Sequence, residues 1–199
     1  MSDKLSTNQV YAKLKTTDFA GFKKPGKNKG ARGQLIELAL GIPNSSKLTD
    51  LSDGELKTFT VGESIAVTQL NHCLTDIIEN GVEFEDSKVG QKLAQTLYVG
   101  FTRANDYVNT ALVNEENSPE HYQELAEDYG YISAQIKAAY VTGTEVHTIT
   151  GPNNLLQIRT KASKKKDGTY TPLCYNGVQL KNKGMAFYLL AKFGKEVVV

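Results

Sequence analysis

Tryptophan is absent from the 199 residues, and cysteine, methionine and histidine are scarce, at two, two and three. Cys73 and Cys174 are too few and too far apart for a disulfide framework or a zinc site, so two reduced, buried thiols are expected. No two of His72, His121 and His147 have metal-ligand spacing, and none adjoins a plausible Ser or Cys nucleophile. Zinc chemistry and a hydrolytic triad are thereby disfavoured. No apolar run is long enough to cross a bilayer, and the polar start MSDKLSTNQV does not read as a signal peptide. A cytoplasmic protein with no membrane partner is expected. Internal repeats are lacking too. The length suits one domain, or one domain divided into two lobes, and 40% hydrophobic residues are ordinary for a globular chain.

Net charge is nearly lacking, at +1, but its distribution is uneven. Residues 1–32 carry eight bases against Asp3 and Asp18, a net of +6. Residues 159–199 carry nine bases against Asp167 and Glu196, a net of +7, which leaves −12 for the middle. Two basic ends around an acidic centre suit a clamp on a polyanion if both fold onto one face, and solvated surface lysines equally well if they do not.

Along the chain, Thr7-Asn8-Gln9 opens an amphipathic helix carrying Val10 and Leu14. FKKPGKNKGARG (22–33) holds four glycines and prolines among five positive charges and reads as a basic loop. It lacks the Gly-Lys-Ser/Thr ending of a phosphate loop, and an arm along a DNA backbone is the functional reading. QLIELALG predicts a short buried helix stopped by Gly41. Residues 54–61 alternate as a strand, with 64–70 as a hairpin partner. A helix over 85–94, a strand over 95–102 and a long helix over 118–140 follow, the last with Glu120, Glu124, Glu127 and Asp128 facing solvent. Strands at 155–161 and 173–180 and a closing helix at 184–193 complete the reading. This mixture without a βαβ rhythm predicts an α/β fold with a central mixed sheet flanked by helices.

The segment that carries chemistry is Asp50-Leu-Ser-Asp-Gly-Glu55-Leu-Lys57-Thr. Side chains alternate along a strand, so Glu55 and Lys57 share a face and Leu56 turns into the core. Two carboxylates meeting there make a hard oxygen site suited to Mg²⁺, a cation that keeps several waters and takes phosphate oxygens. A lysine beside them can hold an attacking water. Taken alone, an acid, a gap and Glu-x-Lys also describe an exposed charge ladder on a solvated strand.

The surroundings add a resemblance. GQLIELALG, then Asp50, then GELKT resembles the MutH and type II restriction endonuclease lineage of the PD-(D/E)xK nucleases. FEDSKVGQKLAQTLYV is similar to that lineage's segment with a second active-site lysine, LLQIRTKAS to its base-contacting strand, and VQLKNKGMAFYLLAKF to its closing segment. The resemblance runs from about Gly33 to Phe193. It implies a restriction-endonuclease-like fold and a Mg²⁺-dependent (or Mn²⁺-dependent) double-stranded DNA endonuclease acting as a monomer. It implies Asp50, Glu55 and Lys57 as catalytic acid, acid and lysine, Glu37 as a helix glutamate supporting the metal held by Asp50 and Glu55, and Lys92 as the second lysine. Glu63 matches a glutamate read here as structural. For DNA contact the implied residues are Arg159, Lys161, Gln179 and Lys181, and the basic loop adds Lys27, Lys29 and Arg32. Lys164, Lys165 and Lys166 suit phosphate contacts without base readout.

Two departures bear on which activity is implied. The gap between Asp50 and Glu55 is shorter than in the mismatch-repair enzyme and resembles that of some restriction enzymes. Gln179 stands where the repair enzyme has a tyrosine that senses adenine methylation, with Tyr175 and Tyr188 nearby. A glutamine can pair bidentately with adenine. The readings that follow are a type II restriction endonuclease, a methyl-directed nicking enzyme with an activating partner protein, and, in another class, a DNA-binding module without activity.

Overall fold

The computed structural model describes residues 4–22, 31–42 and 50–198. Lys27 and Lys29 lie outside the described residues, so the arm they were read into is not placed. The chain is α/β, and its described residues form one mixed sheet and two antiparallel sheets accompanied by helices. It divides into two compact units, each assembled from separate stretches of chain. Among the described residues no helix is long and apolar enough to cross a membrane.

The first unit comprises residues 1–63, 92–119 and 193–199. It opens with α1 (Thr7–Lys15). Ser6, rather than Thr7, is the N-cap: its side chain accepts from the Gln9 amide while the Gln9 side chain accepts from the Ser6 amide. Helix α2 (Ala31–Leu40) ends where Gly41 turns left-handed at φ 76°, the stop expected of it. Strand β1 (Glu55–Thr60) pairs parallel with β3 (Gln95–Phe101), which pairs antiparallel with β4 (Tyr107–Asn114). One face of this sheet buries Leu56, Leu97, Val99 and Phe101 against Val10 and Leu14 of α1 and Ile36 and Leu40 of α2. On the other face Tyr98 meets Phe59 and Phe193 edge-on, the last from α5 (Ala191–Val198). Gly194 and Gly100 let α5 lie directly on the strands, since an added Cβ would come within 2.6 Å of Phe59 or Val198 respectively.

The second unit comprises residues 64–91 and 120–192. Its four-stranded antiparallel sheet runs β2 (Ile65–Gln69), β9 (Met185–Leu189), β6 (Leu156–Thr160), β5 (Ile149–Thr150). A separate hairpin joins β7 (Leu173–Tyr175) to β8 (Val178–Lys181). The long α4 (Pro119–Thr142) buries Tyr122, Leu125, Tyr129, Ile132 and Ile136. Its spacing of three and four residues is that of one helix face. Helix α3 (Lys88–Leu93) marks the passage of the chain back to the first unit.

Several expectations are corrected. β1 and β2 are not a hairpin: β1 takes its partner from β3 and β2 from β9. The closing helix is instead a strand, β9, followed by α5 two residues later. MAFYLL is a continuous apolar run, and such a run does not distinguish a buried strand from a buried helix. β4 was not anticipated, although YVNTALVN is rich in β-branched residues. Cys73 is buried, but Cys174 is exposed on the β7–β8 hairpin. Asp128, expected in solvent, is fully buried. Its carboxylate accepts from the backbone amides of Asn153, Leu155 and Leu156 at 2.7–2.9 Å. It thereby satisfies the turn that leads into β6, and Gly151 packs against it with no room for a Cβ.

Candidate active site

Everything chemically suggestive in the Asp50–Lys57 segment lies within the first unit. The chain reaches Asp50, makes a closed turn in which the Leu51 amide donates to the Gly54 carbonyl at 2.9 Å, and enters β1 at Glu55. Leu51 and Leu56 are buried in the helix-covered core. Their burial fixes the turn and the strand between which the acidic side chains project.

Glu55 is the centre of the arrangement, with only 1% of its side chain exposed. A lone buried carboxylate would cost several kcal/mol. Here Lys57 Nζ lies 2.9 Å from Oε2, as strand alternation predicts for residues two apart. Lys92 Nζ, from the last turn of α3, lies 2.5 Å from Oε1. Burial pushes the Glu55 carboxyl up, but hydrogen bonds from Asp50, Lys57 and Lys92 and the charge of Lys57 outweigh it and hold it below the usual range.

Asp50 is driven the other way. Burial raises it first, a side-chain hydrogen bond shared with Glu55 and that group's charge raise it further, and the result is about 7. Two carboxyl groups bonded to each other share a proton, because they cannot both ionise at short range. Burial likewise raises Glu37 on α2, with Lys57 lowering it and Glu55 raising it. The approach of α2 to β1 is set by Gly33, where a Cβ would stand 3.1 Å from Thr58 Oγ1 and 3.7 Å from Glu37 Oε1.

The donor set fits a hard divalent cation in part. Asp50 and Glu55 form a carboxylate pair flanked by Lys57 and Lys92, and the carboxyl of Asp50 is raised to about 7. Among the described residues, however, no group of three or more acidic, histidine or cysteine side chains is gathered closely enough to hold a metal. Glu37 is felt electrostatically but does not close a third ligand onto the pair.

The remaining candidates divide. In the first unit, Arg32 is buried, with its guanidinium 4.1 Å over the Phe101 ring and bonded to Asn105. Burial lowers its pKa, and its charge is directed inward rather than offered to a ligand. In the second unit, Arg159 on β6 stacks 4.1 Å over Tyr188 of β9 and donates to Gln157. Gln157 in turn donates to Thr150 at 2.7 Å. These side chains form a half-exposed polar array across the sheet. Lys161 is exposed and lines a recess of about 310 Å³ with Gln69, Asn71 and Ser163. Lys181 is engaged by Glu145 at 3.0 Å, and exposed Gln179 donates to Asn182. Gln157 and Gln69 were not singled out from sequence, and Tyr188 only as a tyrosine near Gln179. Gln157 had a usable signal, standing two residues before Arg159 on the same strand face.

No protein-family model and no curated protein matches the chain.

Proposed function

We propose that the protein is a Mg²⁺-dependent endonuclease of double-stranded DNA, built on a PD-(D/E)xK-type core and acting as a type II restriction enzyme. The observation that carries the proposal is the setting of Glu55: a buried carboxylate bonded to Asp50 on one side and to Lys57 and Lys92 on the other. The cluster assembles two acids and two lysines from β1, the turn before it and α3, the residue types that metal-assisted phosphodiester hydrolysis uses.

Bound at Asp50 and Glu55, Mg²⁺, for which Mn²⁺ substitutes, would supply charge neutralisation at a scissile phosphate and acidify a water. Lys57, 24% exposed, can present its ammonium to that water and favour its hydroxide form. Lys92, 18% exposed, keeps Glu55 ionised and in this reading would meet a phosphate oxygen. Glu37 supports the site through its field. Phosphodiester hydrolysis is the chemistry such a set performs.

On the second unit, Arg159 and Lys161 suit base edges or phosphates, and Gln179 suits an adenine edge. Lys181 serves as a DNA contact only by leaving Glu145. The protein acts as a cytoplasmic monomer with DNA as its partner. A methyl-directed nicking enzyme would share the same cluster and differ in needing an activating protein.

The test uses supercoiled plasmid, unmethylated or adenine-methylated, with Mg²⁺ and with EDTA. Discrete linear fragments from unmodified DNA support the proposal. Open circles that accumulate only with an added partner favour the nicking enzyme. No cutting with either Mg²⁺ or Mn²⁺ leaves a DNA-binding module.

A further inference from the structure

Asp50 is three residues from Asp53, and Asp53 is tied down unusually well for an exposed side chain. Its Oδ1 accepts from the Thr7 backbone amide at 2.7 Å and from the Thr7 hydroxyl at 2.6 Å. Its Oδ2 accepts from the Gln95 side chain at 3.0 Å. One residue earlier, the Ser52 amide donates to the Leu5 carbonyl at 3.0 Å. One residue later, Gly54 is pressed so closely on the Gln95 carbonyl and the Thr7 hydroxyl that a Cβ would stand 2.2 and 2.9 Å from them. Thr7 itself is fully buried, in the first turn of α1. A carboxylate at that place also meets the positive end of the helix dipole.

These bonds close a bracket. The segment Leu5–Thr7, anchored by Val10 and Leu14 in the core, grips the turn 51–54 from one side, and Gln95 at the start of β3 grips it from the other. Gln95 also stands beside Thr96, the register partner of Glu55. The same bracket therefore ends at both acids, Asp50 on the turn and Glu55 at the head of β1. We infer that Asp53 is a positioning residue: through Thr7 and Gln95 it sets the distance between Asp50 and Glu55, and so the geometry in which the pair takes a divalent cation. The inference rests on the nuclease reading of the site. The bonds of Asp53 go to Thr7 and Gln95, so its loss is expected to act on turnover and cation requirement, not on DNA affinity.

The experiment compares Asp53→Ala, Asp53→Asn, Thr7→Val and Thr7→Ser in plasmid cleavage, with Mg²⁺ titrated, alongside thermal melts and hydrogen exchange of the Leu51 and Ser52 amides. A displacement of about 1 Å at a reacting group costs on the order of a hundredfold. Asp53→Ala is expected to lower kcat by about ten- to a hundredfold and to raise the Mg²⁺ concentration needed, with KM for DNA within about twofold. Exchange at Leu51 and Ser52 should quicken. Thr7→Val, which keeps the amide bond and loses the hydroxyl, should fall between, and Thr7→Ser should retain wild-type turnover. An unchanged kcat in Asp53→Ala, or a loss of turnover explained by the unfolded fraction alone, would overturn the inference while leaving the nuclease reading intact. Wild-type protein inert with both Mg²⁺ and Mn²⁺ would overturn that reading, and the positioning role of Asp53 with it.

Discussion

Lys92 and Glu55 lie 37 residues apart in sequence and 2.5 Å apart in space. Their bond links the helix that leads into β3 to the strand that β3 pairs with. Lys92→Met leaves Glu55 buried with Lys57 and Asp50 alone. The expected outcome is a loss of about 1–3 kcal/mol of stability, read by urea denaturation, because a bond to a charged buried group is lost. Cleavage should fall as well, since Glu55 then holds its negative charge less firmly. Unchanged stability would mean that Lys57 alone satisfies Glu55.

Asp50 and Lys57 carry the chemistry of the proposed site, and Lys57 also pairs with the buried Glu55. Asp50→Ala and Lys57→Ala are each expected to abolish plasmid cleavage; Asp50→Ala keeps the melting temperature within a few degrees, whereas Lys57→Ala lowers it by about as much as Lys92→Met, at about 2–4 °C for each kcal/mol in a chain of this size. Cleavage at wild-type rate by either variant would remove these residues from the active site.

The raised carboxyl of Asp50 predicts a pH profile. Below about 7 the group keeps its proton, and above it the proton leaves a place for a cation. Mg²⁺-dependent cleavage should therefore rise as pH passes through about 7. Stability of the metal-free protein should move oppositely. An acid whose folded pKa lies above its unfolded value destabilises the fold as pH climbs from the unfolded value, near 3.9, up to the folded one. Asp50→Asn should thus melt higher than wild type at pH 8 and nearly equally at pH 4. A pH-independent difference between the two would show that Asp50 does not hold its proton.

Asp128 is an acid of a different kind, buried to satisfy three backbone amides. Asp128→Ala leaves those amides without acceptors at a cost of about 1–3 kcal/mol each, and it is expected to lower the melting temperature more than any of the site substitutions. Gly151→Ala should act the same way by driving a Cβ into the carboxylate. Calorimetry of both variants checks this, and a melt matching wild type for either would contradict the packing described.

Binding of DNA, measured with Ca²⁺ in place of Mg²⁺ to suppress cleavage, should weaken steeply with salt through counterion release. Arg159→Ala is expected to cost about 1–3 kcal/mol at specific sites and to relax sequence preference. Lys164→Ala should instead weaken all sequences alike and flatten the salt slope. Equal effects of the two substitutions on specific and random DNA would remove Arg159 from base readout.

Much of the first unit was legible because local patterns decide it. Gly41 stops α2, alternation places Glu55 and Lys57 together, and the apolar run QTLYVGF becomes β3. What escaped reading depends on partners distant in sequence. The parallel pairing of β1 with β3 gives no local sign, whereas a nearby strand at 65–69 invites a hairpin that does not form. Asp128 looks like its neighbours Glu124 and Glu127 on an acidic helix; only the turn at 151–156 shows why one of them is buried. Asp53 was overlooked beside Asp50 because its partners, Thr7 and Gln95, lie 46 and 42 residues away.

The first unit is closed by residues drawn from both extremes of the described chain: α1 lies on one face of its sheet, and Phe193 and Val198 of α5 on the other. During vectorial synthesis a ribosome-bound chain that has emerged only as far as β2 holds Asp50, Glu55 and Lys57 but neither Lys92 nor a neighbour for β1. The acid–lysine cluster is therefore completed only once α3 and β3 have followed β1 out of the ribosome.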